Sequence, residues 1–393
     1  MQHALYLKAL ENRKEQSLYR VRKIRDSFAS VKTSIDKKPL ISFCSNNYLG
    51  LSENTEVIAA FKQGADNYGL GSGASALLGG YSSSHKKLEE ALAAFLGYEA
   101  ALVFSSGYMA NVGIITTLVS LCKTFQPSHP VEVYEDRLNH ASLLDGALFS
   151  GARFIRYEHT DCLDLEKKLA SAKVDTKKLI ISEGTFGMDG DLAPLKKLVA
   201  LSKIYRADLM VDDAHGIGVL GEQGRGTLEE LNLAAVDVPI LVGTFSKAFG
   251  GAGGFVLASK TMIETLIQFC RPYIYTTALP AAIAEAMQVS LKIIQQQPWR
   301  RVHCQLMINR FKKGALQLGL SLLPSNTPIQ PILIGDPAKT VLLGKKLQDL
   351  SIDVGVIRAP TVPKGTDRLR ITITAVHTEQ QIDYLLEALS WIL

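Results

Sequence analysis

Cysteine and long apolar runs are both scarce in this sequence of 393 residues. The five cysteines, Cys44, Cys122, Cys162, Cys270 and Cys304, are odd in number, widely spaced, and form no CxxC pair. A disulfide framework or a structural zinc site is therefore not expected, and a reducing cytoplasm suits these thiols best. The sequence contains no uninterrupted stretch of about 18 apolar residues, so no transmembrane helix is expected. The charged N-terminus lacks the apolar centre of a signal peptide.

Net charge is also small. The formal value is +5, from 43 basic and 38 acidic side chains spread along the chain. An excess so scattered argues against a nucleic-acid-binding protein but suits an anionic small-molecule substrate. Hydrophobic residues make up 47% and charged residues 21%, which excludes intrinsic disorder and predicts a globular protein.

Strand-like and helical patterns alternate from about residue 50 to residue 285. The clearest predicted strands are 101–104, 179–182, 209–211, 240–242 and 255–257. This alternation predicts a mostly parallel α/β sheet, whose ligands bind at the carboxyl ends of the strands. We expect residues 1–50 to form an N-terminal helix (4–26) and a short strand. Residues 51–285 are expected to form a large cofactor-binding domain, and 286–393 a small C-terminal domain.

Two predicted strand ends carry the clearest chemistry. Asp212 follows the apolar run 209–211, and His215 lies three residues beyond it. Lys247 lies in Thr244-Phe245-Ser246-Lys247, between a strand and a glycine-rich stretch. Small and apolar neighbours lower the pKa of such an amine because they disfavour its charged form. A neutral amine can form a Schiff base. Taken alone, Asp212 fits a turn cap as well as a catalytic acid, and a lone lysine is more often a surface residue.

Two further motifs are suited to a phosphate and a flat ring. Ser105-Ser106-Gly107-Tyr108 follows a strand and begins a predicted helix, whose free N–H groups bind phosphate. His140 is able to stack on a ring, although a lone histidine is more often structural. The run 69–74 lacks a full GxGxxG and a preceding strand, so it does not predict a dinucleotide site. A lysine, an acid, a phosphate cradle and a stacking group together predict pyridoxal phosphate, and no metal site is predicted.

These motifs make the chain resemble the α-oxoamine synthases, which are pyridoxal-phosphate enzymes of fold type I. The segments that carry the resemblance are Ser45-Asn46-Asn47-Tyr48-Leu49-Gly50-Leu51, Asn139-His140-Ala141-Ser142-Leu143, Asp212-Asp213-Ala214-His215-Gly216 and Thr244-Phe245-Ser246-Lys247. The resemblance extends from about Ala9 to Leu389. It implies an α/β transferase fold, with a large domain around a mostly parallel sheet and a smaller α+β C-terminal domain, and it implies a homodimer.

The resemblance also implies roles for individual residues. Lys247 would carry the cofactor, Asp212 would pair with its ring nitrogen, and His215 would bind its phenolic oxygen. His140 would stack on the ring and touch the substrate. The residues implied to hold the phosphate are Gly107 and Tyr108 through their backbone, Thr244 through its hydroxyl, and Thr277 from the neighbouring subunit. Those implied to contact substrate are Arg370 at the amino-acid carboxylate, Asn46 beside it, and Arg20, His140 and Thr361.

One position departs from the family pattern. Gly187, in Phe186-Gly187-Met188-Asp189-Gly190, stands where the family usually has a serine whose hydroxyl contacts the ring. Gly187 has no side chain to offer, which leaves a water or Thr185 as a substitute. Since His215 is still able to bind the ring oxygen, we expect an altered site and not an inactive one.

The segments 329–332 and 357–363 favour one branch of the family. That branch condenses L-alanine with a pimeloyl thioester, on coenzyme A or an acyl carrier protein, in biotin biosynthesis. Two other enzymatic readings stay open: a sibling synthase that joins glycine to an acetyl or succinyl thioester, and a fold-type-I aminotransferase or decarboxylase. A binding module without catalytic activity would not need both Lys247 and Asp212.

Overall fold

The computed structural model describes residues 2–16 and 18–393, and in these residues twelve strands form two sheets. The strands are β1 (Lys32–Ile35), β2 (Lys38–Phe43), β3 (Ala100–Phe104), β4 (Val131–Asp136), β5 (Arg153–Tyr157), β6 (Lys177–Glu183), β7 (Asp208–Asp212), β8 (Ile240–Thr244), β9 (Gly254–Ala258), β10 (Ile329–Leu333), β11 (Ile352–Ile357) and β12 (Arg368–Thr372). The helices are α1 (Gln2–Glu15), α2 (Thr55–Tyr68), α3 (Ser83–Leu96), α4 (Gly107–Phe125), α5 (Ala141–Ser150), α6 (Cys162–Ala170), α7 (Leu195–Tyr205), α8 (Thr227–Glu230), α9 (Lys260–Phe269), α10 (Arg271–Ile274), α11 (Ala281–Gln296), α12 (Trp299–Gln317), α13 (Pro337–Asp349) and α14 (Glu379–Ile392).

The larger sheet has seven strands in the order β3-β9-β8-β7-β6-β4-β5. β9 runs antiparallel to β3 and β8, whereas the pairs from β8 to β5 are parallel. Its inner strands are buried on both faces: Leu179 and Ile181 of β6 join a hydrophobic cluster with α4, and Ile180 joins the opposite one with α7. The predicted mostly parallel sheet is therefore confirmed, and the five clearest predicted strands are present as β3, β6, β7, β8 and β9.

The smaller sheet has five strands in the order β1-β2-β11-β12-β10. Its centre is made by C-terminal strands, and β2 adds to it by pairing in parallel with β11. The N-terminal segment thus shares a sheet with the C-terminal part of the chain. The division at residues 50 and 285 stays a prediction.

The N-terminal helix is shorter than predicted. α1 ends at Glu15, and Val21 lies in chain without helical structure and is 79% exposed. The backbone there pairs with the β1–β2 hairpin instead, since Asp36 N donates to Ile24 O at 2.7 Å. The predicted helix over 4–26 is therefore wrong beyond its first half. Leu5 and Leu10 of α1 are 64% and 47% exposed, so these two apolar side chains are not buried against the rest of the protein.

One helix of the described chain, α4, is long and apolar enough to span a membrane by length and composition. Ile114, Ile115 and Val119 of this helix are buried in the cluster under the larger sheet. A core helix passes the same test of length and hydropathy, so packing against the sheet accounts for the apolar character of α4. Its first residues lie at the carboxyl edge of that sheet.

Candidate active site

The carboxyl ends of β6 and β7 place two acids side by side. Asp212 ends β7 after three buried apolar residues, and it is paired in register with Glu183 at the end of β6. The Asp212 carboxylate is buried and held in place: Oδ2 accepts from Asn111 Nδ2 at 2.6 Å, and Oδ1 accepts from Ala214 N at 3.0 Å. A fixed carboxylate at this edge can keep a proton on a nearby ring nitrogen.

Lys247 lies just beyond the end of β8. Phe245 and Phe249 on either side of it are fully buried, which fixes the turn and leaves the lysine half-buried at its top. Burial lowers the pKa of Lys247, while the charges of Asp212 and Glu183 oppose that shift. Among the described residues no carboxylate approaches the Lys247 amine within 4.0 Å, so the amine is held beside negative charge without being paired.

The N-terminus of α4 forms an anion cradle. The Ser106 side chain caps the helix by accepting from Met109 N at 3.2 Å, which leaves the N–H groups of Gly107 and Tyr108 for a ligand. Gly254 allows the helix to come this close to β9, because a Cβ at that position would lie 2.5 Å from Gly107 N. The Thr244 side chain adjoins Gly107 and donates to Gly253 O at 2.9 Å.

The Tyr108 side chain does not turn into this cradle. Its hydroxyl donates to Asp145 Oδ2 at 2.6 Å, and the residue is 44% exposed. Only its backbone is therefore placed as the resemblance implies. The predicted stacking residue, His140, caps α5 shortly after the end of β4. Partial burial lowers the pKa of His140 and favours the neutral ring.

The imidazole of His215 is buried between Tyr48 and Gly187. Its Nδ1 lies 2.7 Å from the Tyr48 hydroxyl, and a Cβ placed on Gly187 would lie 2.5 Å from its Nε2. Burial lowers the pKa of His215 well below its usual range, and the charges of Lys247 and Arg370 act in the same direction. The ring of His215 therefore occupies the space in which a side chain at position 187 would begin.

Thr185 does not replace the missing hydroxyl. Its side chain is buried, and its Oγ1 lies 2.9 Å from Thr227 Oγ1 in a group that also contains Asp213. The hydroxyl is thus engaged away from Gly187. This leaves His215 as the side chain next to the position that a serine would have held.

Arg370 on β12 reaches across to the larger sheet. Its Nε donates to Gly187 O at 2.8 Å, and both terminal nitrogens lie 3.3 Å from Asn46 Oδ1. Arg370 is buried, yet no carboxylate of the described chain pairs with it. A buried, oriented guanidinium of this kind is suited to a bidentate contact with a substrate carboxylate.

Glu183, Asn111, Ser142 and Tyr48 complete the site and were not assigned roles from the sequence. Burial, followed by the charge of Asp212, raises the pKa of Glu183 to about 8, and Glu183 Oε2 accepts from Gly187 N at 3.2 Å. Ser142 and Tyr48 stand inside motifs already recognised, and Asn111 lies one helical turn after Gly107. That spacing on a helix which begins at the cradle is the sequence signal that could have identified Asn111.

Arg20 and Thr361 lie together at one cavity. Both are exposed, and they line a cavity of about 170 Å³ together with Arg13 and Arg358. No hydrogen bond joins either residue to the group around Lys247 in the part of the chain that is described. Arginine side chains around one cavity suit an anionic group of a substrate.

Thr277 lies at the edge of the phosphate cradle. Its carbonyl accepts from Ser105 Oγ at 2.9 Å, while the residue itself is exposed. It does not cap α11, because the residue before that helix is Pro280 and no side chain caps it. Capping of α11 therefore does not explain the threonine at this position.

One group of possible metal ligands in the described chain consists of His159, Asp189 and Asp191. Ion pairs explain why these three side chains lie close together. His159 lies between Asp136 at 2.9 Å and Asp191 at 3.0 Å, and Asp189 pairs with Arg368. These contacts hold the loop that contains Gly187.

The arrangement fits pyridoxal phosphate. Free N–H groups and the Thr244 hydroxyl can hold a phosphate, Lys247 offers an unpaired amine, and Asp212 offers a carboxylate on the same strand edge. The glycine at 254 leaves room for the helix end that a phosphate would contact. Each requirement of the cofactor therefore has a residue in place, and His140 and His215 stand beside them.

Known proteins are similar over nearly the whole chain. The family model described as aminotransferase class I and II matches residues 38–389. An 8-amino-7-oxononanoate synthase from Thioalkalivibrio sulfidiphilus is 49% identical over 380 residues, covering 97% of this chain and 95% of that protein. A solved serine palmitoyltransferase from S. paucimobilis with bound PLP has a TM-score of 0.90 at 30% identity, covering 98% of this chain and 96% of that one. An 8-amino-7-oxononanoate synthase structure from Francisella tularensis has a TM-score of 0.76 at 32% identity, covering 90% and 97%.

Proposed function

The chain belongs to the aminotransferase class I and II family, and from that premise we propose that it condenses L-alanine with a pimeloyl thioester to give 8-amino-7-oxononanoate. The reaction releases carbon dioxide and the thiol of coenzyme A or of an acyl carrier, and it serves biotin biosynthesis. The observation that carries this proposal is the 49% identity to an 8-amino-7-oxononanoate synthase over 97% of the chain. The site supplies the residues that such a pyridoxal-phosphate enzyme needs.

Pyridoxal phosphate, when bound, supplies a carbonyl that captures the amino group of the amino acid and a ring that accepts electrons from its Cα. Lys247 is the residue that would hold it covalently, and the start of α4 with Thr244 would hold its phosphate. Asp212, whose carboxylate is fixed by Asn111 at 2.6 Å, would keep a proton on the ring nitrogen. His215, neutral and hydrogen-bonded to Tyr48, would bind the ring oxygen.

The substrate-binding roles follow from charge and position. Arg370 binds the carboxylate of L-alanine as a fork, with Asn46 beside it. The Lys247 amine, whose pKa is lowered by burial, takes the Cα proton as general base. His140 donates from its ring to the oxygen of the thioester carbonyl, where negative charge develops. Arg20 and Thr361 bind the acyl substrate at the cavity that they line.

A sibling synthase is the second candidate. The serine palmitoyltransferase structure superposes with a higher TM-score, 0.90 against 0.76, than the 8-amino-7-oxononanoate synthase structure. Sequence identity favours the first proposal, at 49% against 30%. A synthase that takes glycine with a short acyl thioester would use the same cofactor residues.

The protein is proposed to act as a cytoplasmic homodimer. Several large apolar side chains are exposed, including Leu70 (89%), Leu78 (82%) and Tyr275 (71%), and Tyr275 lines a cavity together with Tyr108. Exposed apolar patches of this kind are typical of subunit interfaces. All five cysteines are free thiols, as a reducing compartment requires.

The test is a comparison of products. Purified protein loaded with pyridoxal phosphate is incubated with L-alanine and pimeloyl-CoA, and carbon dioxide, free thiol and amino ketone are measured. The proposal expects the three in equal amounts. Formation of pyruvate without carbon dioxide would instead identify an aminotransferase.

A further inference from the structure

A series of hydrogen bonds joins Asp212 to His140 through two buried residues. Asn111 Nδ2 donates one hydrogen to Asp212 Oδ2 at 2.6 Å and the other to Ser142 Oγ at 2.9 Å. The orientation of the Asn111 amide is fixed, because a carboxylate only accepts and must therefore face the nitrogen. Asn111 is 1% exposed and Ser142 is fully buried, so water does not compete for these contacts.

This orientation decides which atom carries hydrogen at His140. Since Ser142 Oγ accepts from Asn111, its own hydrogen is available for His140 Nδ1, which lies 2.7 Å away. The backbone N–H of Ser142 also donates to Nδ1, at 3.2 Å. A nitrogen that faces two donors acts as an acceptor, and a neutral imidazole then carries its hydrogen on Nε2.

We propose that Ser142, with Asn111 behind it, is a positioning residue that holds His140 as the neutral Nε2–H tautomer. His140 thereby presents a preset hydrogen-bond donor to the carbonyl oxygen of the acyl substrate, a role that rests on the proposed function. Solvent reaches His140, and within the described residues its Nε2 has no hydrogen-bond partner. The donor is therefore free for a ligand, while Nδ1 is fully occupied.

The alternative is a purely structural Ser142, which lies in the first turn of α5 and fills the space beside α4. The two interpretations differ in whether the tautomer of the His140 imidazole depends on Ser142. Wild type and Ser142→Ala, both labelled with ¹⁵N-histidine, are compared by long-range ¹H–¹⁵N NMR at pH 8 without substrates. The signal that is missing from His140→Gln is assigned to His140. Wild type is expected to show Nδ1 as an unprotonated acceptor and Nε2 as protonated. An Nδ1–H tautomer or an imidazolium in wild type would overturn the proposal without any variant.

Ser142→Ala removes one of the two donors to Nδ1. It is expected to shift the His140 signals toward a mixture of tautomers and to lower kcat/KM for the acyl thioester about tenfold, the usual effect of one hydrogen bond. Ser150→Ala is the matched control on the same helix, since among the described residues the Ser150 hydroxyl bonds only the backbone at the end of α5, donating to Ala147 O and accepting from Ala152 N. Unchanged His140 signals in folded Ser142→Ala would contradict the proposal. Because the NMR experiment uses no substrate, its result is independent of whether the proposed reaction is correct.

Discussion

The imidazole of His215 lies against the Cα of Gly187, so closely that a Cβ at position 187 would be 2.5 Å from Nε2. Gly187→Ser therefore requires the ring to move and to lose its 2.7 Å contact with the Tyr48 hydroxyl. We expect a loss of about 1–3 kcal/mol in the free energy of unfolding, as for other overpacked cores. We also expect weaker binding of pyridoxal phosphate, measured by titration of the cofactor-free protein.

Gly187→Ala separates the added Cβ from the added hydroxyl. If the clash with His215 dominates, alanine and serine weaken cofactor binding alike. If Gly187→Ser binds the cofactor more tightly than wild type, the hydroxyl matters more than the position of His215, and this account of Gly187 is wrong.

Lys247→Ala should abolish both covalent cofactor attachment and condensation. Among the described residues no other lysine is recorded beside Asp212 and the start of α4, and burial lowers the pKa of Lys247. Borohydride reduction followed by peptide mass spectrometry measures the attachment. Cofactor attached covalently to another lysine of this variant, with condensation retained, would refute the assignment.

Asp212→Asn should still bind the cofactor but should hardly exchange the α-proton of L-alanine. An amide does not hold a proton on a ring nitrogen as a carboxylate does. Preorganised charges of this kind lower a reaction barrier by about 2–4 kcal/mol. Exchange is followed by NMR in deuterated water. Near-normal exchange would show that Asp212 has another role.

His159 gives the protein a pH-dependent stability. Burial lowers the pKa of His159, but its hydrogen bonds to Asp136 and Asp191 outweigh burial and raise that pKa to about 9. The folded state thus holds the proton more tightly than the unfolded chain, whose histidine pKa is about 6.5. The stabilisation is complete below pH 6.5 and is lost as the pH rises through 9.

His159→Gln should therefore lower the free energy of unfolding by about 1–2 kcal/mol at pH 6 and by much less at pH 9.5. Urea unfolding of the cofactor-free protein at both pH values measures the difference. An equal loss at the two values would mean that packing against Phe186, and not the ion pairs, is what His159 contributes.

A variant of Thr277 tests whether each active site is built from residues of two subunits. Thr277→Val should weaken cofactor binding about tenfold or more by removing one hydrogen bond to a charged phosphate. When Lys247→Ala and Thr277→Val chains exchange subunits, a mixed dimer with shared sites has one site with both lesions and one intact site. Recovery of wild-type affinity in half of the mixed sites is expected. A simple average of the two parents would contradict a contribution from the partner subunit.

Local sequence patterns indicated that Asp212, Lys247 and the cradle at Gly107 lie at strand ends, because each follows a short apolar strand; their roles stay predictions. The contact of Asn111 with Ser142 was not predictable in this way, since it depends on how α4 packs against α5. β4 was missed because all six of its residues are buried although three are acidic, which breaks the usual alternation. The helix prediction past Glu15 failed because tertiary pairing with the β1–β2 hairpin outweighed local helix propensity.

The most direct test of the proposed function is a matrix of substrates. L-alanine and glycine are each combined with pimeloyl, acetyl and succinyl thioesters, and the rate of carbon dioxide release is measured with Lys247→Ala as the blank. The account predicts that L-alanine with the pimeloyl thioester gives the highest kcat/KM of the six combinations. A higher value for glycine with acetyl or succinyl thioester would contradict it and would identify a sibling synthase.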